Sequence, residues 1–286
     1  MTALASRVKS GAVPGRQMHV HFSRLASVYN GLRTTDAAPV RIIAKTLAGQ
    51  RVERCVDVGC GSGRYSLLLM SAFPGLYVTC CDINRAMLDE AGRYLSVHGQ
   101  TRFDLRLADA ESLRLSDARF DFIASFNAIH HFDPVAFLAR AAGLLGRHGK
   151  IFLYTRLHEQ NAETIWGRYF PGFLDRERRL YRTRQIRGWL HKLDRLELRE
   201  IRLVQHRRSA SLARLVELAR CQHYSTFEYY TEEELSVALE VFRRRIRRRF
   251  AETARVEWRE GNAMIILQAA GGARRRARRS EGGSHA

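Results

Sequence analysis

Apolar and polar residues alternate in blocks along the first 156 residues, and the blocks switch between strand-like and helix-like spacing. Short apolar runs rich in β-branched residues predict strands at 51–59, 76–83, 103–109, 120–129 and 150–156. Between them, helical spacing predicts helices at 62–73, 84–99 and 133–149. Because strand–helix–strand units connect through right-handed crossovers, this order predicts a doubly wound α/β fold with a mostly parallel sheet.

The second half of the chain predicts two more strands, at 196–204 and 255–270, which bring the sheet to seven strands. Aromatic-rich insertions at about 157–182 and 206–250 interrupt this domain of residues 49–270. Together with residues 1–48, they are expected to form a helical lid. The basic tail, 271–286, has no apolar residue larger than alanine, so we predict that it is disordered.

Residues 55–69, CVDVGCGSGRYSLLL, connect the first strand to the first helix through three glycines. Such a turn lets the backbone approach a ligand closely, and the helix amino terminus adds N–H donors. Ligands of these sheets bind at the carboxyl ends of the strands. A dinucleotide site would need a third glycine where Arg64 stands, so that class of cofactor is disfavoured.

The pattern D-x-G-x-G-x-G resembles motif I of the class I S-adenosylmethionine-dependent methyltransferases. CCDIN, LADAESL and FDFIASFNAIHHF follow in the order and spacing of that family, so the resemblance covers roughly residues 20–156. It implies S-adenosylmethionine as the cofactor, with Asp82 accepting the ribose hydroxyls and Asp109 near the adenine amino group. The cofactor-binding residues that it implies are Asp57, Gly59, Cys60, Gly61, Gly63, Asp82, Ile83, Asp109, Ala110 and Asn127.

Catalytic candidates follow the fourth strand and the amino-terminal segment. NAIHHF is similar to the D-x-x-L-H stretch of phosphoethanolamine methyltransferases, in which the residue matching His131 is catalytic, although Asn127 stands in place of the aspartate. Histidine suits a general base because its pKa lies near neutrality. His130 and His131 are therefore candidate bases, with a packing role open for either. Tyr29 is a candidate to close over the cofactor and orient the base.

Two classes of acceptor compete. A small molecule would bind in a lid-covered pocket lined by Tyr29, Arg33, Trp166, Phe170 and Tyr224. RNA, tRNA in particular, is the alternative, because Lys+Arg 48 against Asp+Glu 29 gives a net charge of +19. No N-P-P-Y or D-P-P-Y follows the fourth strand, which disfavours methylation of exocyclic base amines. The sequence favours a small-molecule substrate, while a cofactor-binding protein without catalysis is a third possibility.

The remaining features indicate a cytoplasmic enzyme. The five cysteines form no CxxC pair and no Cys/His ligand spacing, so no metal site is predicted. No stretch approaches the roughly 18 uncharged apolar residues of a membrane span, so none is predicted. The sequence predicts no oligomeric state.

Overall fold

Seven strands form a single sheet in the computed structural model, which describes residues 20–24, 26, 29–115 and 119–270. The predicted tail and residues 1–19 of the predicted lid lie outside these described residues. The strands are β1 (Arg54–Val58), β2 (Tyr77–Asp82), β3 (Phe103–Leu107), β4 (Phe120–Phe126), β5 (Leu145–Thr155), β6 (Leu196–Ala210) and β7 (Val256–Ala269).

The sheet has the order β3-β2-β1-β4-β5-β7-β6, and the strands from β3 to β5 are parallel. Strand β7 is antiparallel to both β5 and β6. The sequence prediction of a doubly wound, mostly parallel seven-stranded sheet is therefore confirmed. Chain order reverses between β1 and β4, which is the position where ligands of such sheets bind.

Helices flank the sheet and fill its connections. They are α1 (Tyr29–Leu32), α2 (Ala38–Thr46), α3 (Arg64–Ala72), α4 (Arg85–Val97), α5 (Pro134–Leu144), α6 (His158–Asn161), α7 (Ile165–Tyr169), α8 (Phe173–Arg176), α9 (Thr183–His191), α10 (Leu212–Arg220) and α11 (Glu232–Arg249). Local signals set several of their boundaries. Asn84 and Asp133, for example, cap α4 and α5 by accepting hydrogen bonds from backbone N–H groups.

Two boundaries differ from the sequence prediction. Strand β5 begins at Leu145, where the pattern predicts the end of a helix, because Leu145 already pairs with Phe120 ahead of a bulge. Strand β6 continues to Ala210, beyond its predicted end, because it pairs with β7 along its whole length, up to Val256. The first residues of the predicted 206–250 insertion therefore belong to the sheet.

Three apolar clusters make up the core of the described chain. Two lie on opposite faces of the sheet, with Ile151 and Leu153 in one and Phe152 and Tyr154 in the other, as the alternation of side chains along β5 requires. The third joins residues of both insertions, centred on Trp166. We call residues 157–182 and 211–250 the cap, because the two segments share this separate core.

The antiparallel pairing of β7 has a consequence for function. Residues at the amino end of β7, such as Glu260 and Asn262, lie at the sheet edge where the parallel strands have their carboxyl ends. That edge also receives the carboxyl end of β6, including His206 and Arg208. Among the described helices, none is long and apolar enough to cross a membrane.

Candidate functional site

A cavity of about 490 Å³ lies at the carboxyl ends of β1, β2, β3 and β4. We call it the cofactor cavity. Nine of the ten residues that the sequence analysis assigns to cofactor binding line it: Asp57, Gly59, Cys60, Gly61, Asp82, Ile83, Asp109, Ala110 and Asn127. Gly63 is absent from the lining. A Cβ atom there would lie 3.2 Å from the Cβ atom of Ala91, so Gly63 allows α3 to pack close to α4.

The glycine turn has the geometry that the sequence predicts, with positive φ at Gly59, Gly61 and Gly63. At Gly59 a Cβ atom would lie 2.5 Å from that of Ala128, so a side chain would collide with the segment after β4. At Gly61 a Cβ atom would meet no protein atom within 4 Å. Since Gly61 lines the cavity, its bare backbone leaves room for a ligand.

Four carboxylates line the cofactor cavity, those of Asp57, Asp82, Asp109 and Glu111. Asp82 accepts hydrogen bonds from the backbone N–H groups of Gly61 and Asn84, each at 2.9 Å, which fixes its carboxylate at the end of β2. Asp109 accepts from the N–H of Glu111 at 2.9 Å. Carboxylate oxygens have further lone pairs, so both residues retain capacity to accept hydrogen bonds from a ligand.

Asp57 is buried beneath the turn, and its Oδ2 atom accepts a hydrogen bond of 2.6 Å from Ser66. Its Oδ1 atom is buried without a partner. Burial raises the pKa of Asp57 to about 7, and the nearby charge of Asp82 acts in the same direction. A cationic ligand would favour the ionised form.

These residues fit S-adenosylmethionine. The ribose diol and the adenine amine are donors that match the acceptors Asp82 and Asp109. The methionine ammonium is a cation that matches the unpaired Oδ1 atom of Asp57. The carboxylates of Asp57 and Asp82 beside the glycine turn disfavour a phosphate at that position.

A second cavity, of about 330 Å³, lies between the cap and the edge formed by β5, β6 and β7. We call it the acceptor cavity. Its apolar walls come largely from the cap, including Trp166, Phe173, Leu215 and Tyr224. The predicted pocket residue Phe170 is absent from this lining. It packs in the core of the cap instead, because its ring contacts Phe227 and Phe242 at centroid distances of 5.1 and 5.3 Å.

Charged groups line the opposite side of the acceptor cavity. Arg208 donates to both carboxylate oxygens of Asp36, at 2.9 and 2.6 Å. Glu260 accepts from Arg156 at 3.2 Å, from Arg208 at 3.3 Å and from the indole N–H of Trp258 at 3.0 Å. Arg156 and Arg208 therefore share one carboxylate, and the pKa of Glu260 stays below its usual value despite burial.

The two cavities share a wall. The residues that line both are Phe22, Tyr29, Arg33, Arg64, Tyr65, Asn127, His130 and His131. This junction brings together the three predicted catalytic residues, His130, His131 and Tyr29. Around Tyr29, the guanidinium carbon of Arg64 lies 5.2 Å from the ring centroid and that of Arg33 lies 5.8 Å away.

His131 faces the open space of the junction, whereas His130 is more deeply set and has a buried Nδ1 atom without a partner. Their ring centroids are 4.1 Å apart. Burial lowers the pKa of His130 to about 3, and Arg179 and Arg33 act in the same direction. Burial, together with His130 and Arg179, also lowers the pKa of His131. Both rings are therefore neutral near pH 7, and each has a nitrogen that can accept a proton.

Phe22 covers the junction from the amino-terminal side. Its ring meets that of His131 edge-on at a centroid distance of 5.4 Å. The neighbouring residues attach this segment to the cap, since His21 and Arg24 contact the Glu228 carboxylate at 2.8 and 2.6 Å.

Asn127 connects the junction to β7. It has a φ of 55°, a conformation that asparagine tolerates better than most residues, and its N–H donates to the carbonyl of Tyr154 at 2.6 Å. Its Oδ1 atom accepts from Asn262 at 3.1 Å. A strained residue at a cavity junction is typical of functional sites.

The sequence analysis missed most of the polar residues of the acceptor cavity. They include Asp36, Arg156, Arg208, His223, Trp258, Glu260 and Asn262. One signal was present. Glu260 and Asn262 lie at alternate positions of β7, on the same face as the apolar residues Val256 and Met264, and both are buried. A polar residue in a buried strand needs a partner, so these positions could have been marked as candidates.

Comparison with known proteins agrees with this architecture. Residues 56–153 match a family model described as "Methyltransferase domain". A malonyl-(acyl-carrier protein) O-methyltransferase of Hahella chejuensis is 28% identical over 188 residues, which cover 62% of this chain and 65% of that protein. The chain thus spans just under two thirds of the length of this curated relative.

Solved structures show the same fold. The cyclase SpnF superposes with a TM-score of 0.59 at 14% identity, covering 91% of this chain and 98% of that one. A mycolic acid cyclopropane synthase complexed with SAH gives 0.58 at 15% identity, covering 91% and 100%. Residues 56–153 therefore form a methyltransferase domain, and the class I S-adenosylmethionine-dependent fold and cofactor class that the sequence indicates are confirmed.

Proposed function

We propose that this protein transfers a methyl group from S-adenosylmethionine to a small-molecule acceptor bound in the acceptor cavity. The observation that carries the proposal is the shared wall, where His130, His131, Asn127 and Tyr29 line both cavities. A donor in one cavity and an acceptor in the other would meet there. The acceptor cavity, at about 330 Å³, has the size of a small-molecule site.

S-adenosylmethionine, when bound, supplies a methyl group on a cationic sulfur. The chain would contribute positioning and exclusion of water, which are the main protein contributions to a displacement of this kind. Asp82, Asp109 and Asp57 would orient the cofactor, and the cap would cover the acceptor. His131, which is neutral and faces the junction, would accept a proton from an acceptor hydroxyl, thiol or amine.

The Hahella chejuensis relative is named for O-methylation of malonyl-(acyl-carrier protein), so the acceptor in its name is not a nucleic acid. An RNA substrate remains the alternative. The arginines at the carboxyl end of α11 support it only through charge, because none of the residues 243–249 lines either cavity.

The test is a mass-spectrometric screen. Purified protein is incubated with S-adenosylmethionine and fractionated metabolite pools, or with bulk tRNA, and products are searched for the gain of one methyl group. Labelled cofactor carrying a deuterated methyl group would distinguish transfer from contamination. We expect methylated products in the metabolite fractions. Methylated nucleosides alone would favour the RNA alternative, and S-adenosylhomocysteine binding without any product would refute catalysis of this kind.

A further inference from the structure

Two guanidinium groups lie against one tyrosine ring inside the acceptor cavity. The Cζ atom of Arg33 lies 4.4 Å from the ring centroid of Tyr224, and that of Arg156 lies 5.2 Å from it. We call Arg33, Tyr224 and Arg156 the Tyr224 cluster. A tyrosine ring attracts a cation through its quadrupole, but it carries no net negative charge. Since Glu260 accepts a hydrogen bond from Arg156, the uncompensated positive charge of the cluster lies on Arg33.

The protein satisfies few of the donors in this cluster. Arg156 donates only through Nη2, to the Tyr224 hydroxyl at 3.3 Å and to Glu260 at 3.2 Å, while its Nε atom has no partner. Arg33 donates through Nη1 to the carbonyl of His223 at 3.1 Å. Since a guanidinium has five N–H donors, each group has donors left over for a molecule in the cavity.

Charge in the cavity is also unbalanced. Arg208 and Arg156 share Glu260, and Arg208 also pairs with Asp36. Arg33 and Arg64, in contrast, have no carboxylate partner among the described residues. Of the remaining charged lining groups, Glu177 pairs with Arg179 and Arg214 pairs with Glu217. An anion that enters the cavity would compensate the charges of Arg33 and Arg64.

The cofactor does not supply this anion to the whole cavity. Its carboxylate can reach Arg33 and Arg64, which line both cavities, but not Arg156, which lines only the acceptor cavity. The unpartnered Nε atom of Arg156 therefore remains available to the acceptor. Its sulfonium and ammonium also make it a net cation. A bound cofactor would therefore increase the positive potential that the acceptor experiences.

We infer that the acceptor is an organic acid whose carboxylate binds at the Tyr224 cluster, with an apolar or aromatic body against Trp166 and Leu215. The planar guanidinium fork matches a carboxylate in two parallel hydrogen bonds. Because Arg156 lines only the acceptor cavity, this carboxylate anchors the substrate away from the junction, and a different atom receives the methyl group. The inference rests on the proposed function.

Matched pairs of probes test this inference. Each pair consists of a carboxylic acid and its amide, which differ in charge but hardly in shape. The pairs are benzoate and benzamide, cinnamate and cinnamamide, and octanoate and octanamide. Calorimetric titration into the full-length protein, with and without S-adenosylhomocysteine, gives the preference for acid over amide. We expect at least one acid to bind about tenfold or more tightly than its amide, the range for hydrogen bonds to a charged group. If no acid is preferred, the inference is wrong.

Substitutions test whether Arg156 is responsible for the preference for acid over amide. Arg156→Met should reduce it to about twofold or less. Arg244→Met is the matched control, because Arg244 is exposed on α11 and lines neither cavity, and it should keep the full preference. Retention of the preference in Arg156→Met would overturn the inference. If Arg156→Met does not fold, Arg156→Lys is the test, because a lysine keeps the positive charge but cannot form two parallel hydrogen bonds to a carboxylate. A fall of about threefold or more in the preference for acid over amide supports the site. An unchanged preference overturns it.

Failure of the proposed function can be distinguished from failure of the anion site. Protein that prefers the acids but neither binds S-adenosylhomocysteine nor forms a methylated product would keep the anion site and refute methyl transfer. If the protein forms a methylated product but binds no acid more tightly than its amide, methyl transfer stands and the anion site is refuted.

Discussion

The cofactor cavity and the acceptor cavity adjoin each other, yet they are built in different ways. Most of the cofactor cavity comes from short segments that follow β1, β2, β3 and β4, all within residues 57–132. The acceptor cavity is assembled from the amino-terminal segment, the ends of β5, β6 and β7, and the cap, which are far apart in the chain. Local motifs thus define one cavity, and long-range packing defines the other.

Their charges differ too. Asp57, Asp82 and Asp109 line only the cofactor cavity, whereas Arg156 and Arg208 line only the acceptor cavity, where they pair with Glu260 and Asp36. The cofactor cavity therefore offers acceptors to a ligand, and the acceptor cavity also offers guanidinium donors. The neutral histidines of the junction separate the two regions.

Loss of the proposed base should have the largest effect. We expect His131→Ala to lower kcat by a factor on the order of 10² to 10⁴, the usual contribution of general acid–base catalysis, with cofactor affinity close to wild type. His148→Ala is the control, because His148 is exposed and lines neither cavity. Parallel loss of cofactor affinity and rate would instead identify His131 as a binding or structural residue.

Removal of an aspartate carboxylate from the lining of the cofactor cavity should affect cofactor binding alone. Asp82→Ala should weaken binding of S-adenosylmethionine by about 1–3 kcal/mol, because hydrogen bonds to a charged group are lost. Calorimetry measures this directly, with the exposed residue Asp194 changed to alanine as the control. Unchanged affinity in a folded Asp82→Ala protein would contradict the assignment.

Low pH should reduce the contribution of His130 to the stability of the fold. The pKa of His130 falls from 6.5 to about 3 on folding, so the unfolded chain binds a proton that the folded chain excludes. Stability from this residue is complete above pH 6.5 and is lost as the pH falls towards 3. Between pH 7 and pH 5 we expect the contribution of His130 to the free energy of unfolding to fall by about 2 kcal/mol. Asp57, whose pKa is raised to about 7, acts in the opposite direction, so the His130 contribution is measured as the difference between the wild type and a His130 variant.

Urea denaturation at several pH values checks this expectation. His130→Asn should remove the His130 contribution from the dependence on pH, because asparagine does not titrate, whereas Asp57, His131 and His223 still do. An unchanged slope in that variant would show that His130 is accessible to protons in the folded state.

Salt should have the smallest effect. A small-molecule enzyme with its site beneath a cap should change its turnover by less than about tenfold between 50 and 200 mM salt, whereas several phosphate contacts would cost roughly 10³ or more in affinity. Steady-state kinetics over this range, with the acceptor found in the screen, provide the measurement. A steep linear fall on logarithmic axes would favour an RNA substrate.

The two cavities also mark how far the sequence could predict the site. The turn at Gly59 and Gly61, and the carboxylates that end neighbouring strands, follow from local patterns, so their convergence at one edge could be predicted. The pairing of Arg156 with Glu260 spans 104 positions and depends on the register of β5 with β7. No local pattern fixes that register, so the acceptor side could be expected only in outline.

The attachment of Phe22 has a kinetic consequence. One aromatic ring forms part of both cavities, and the segment that carries it is held to the cap through Glu228. A displacement of Phe22 would therefore change the walls of both cavities together. With the proposed function, the release rates of the spent cofactor and of the methylated product would then be coupled.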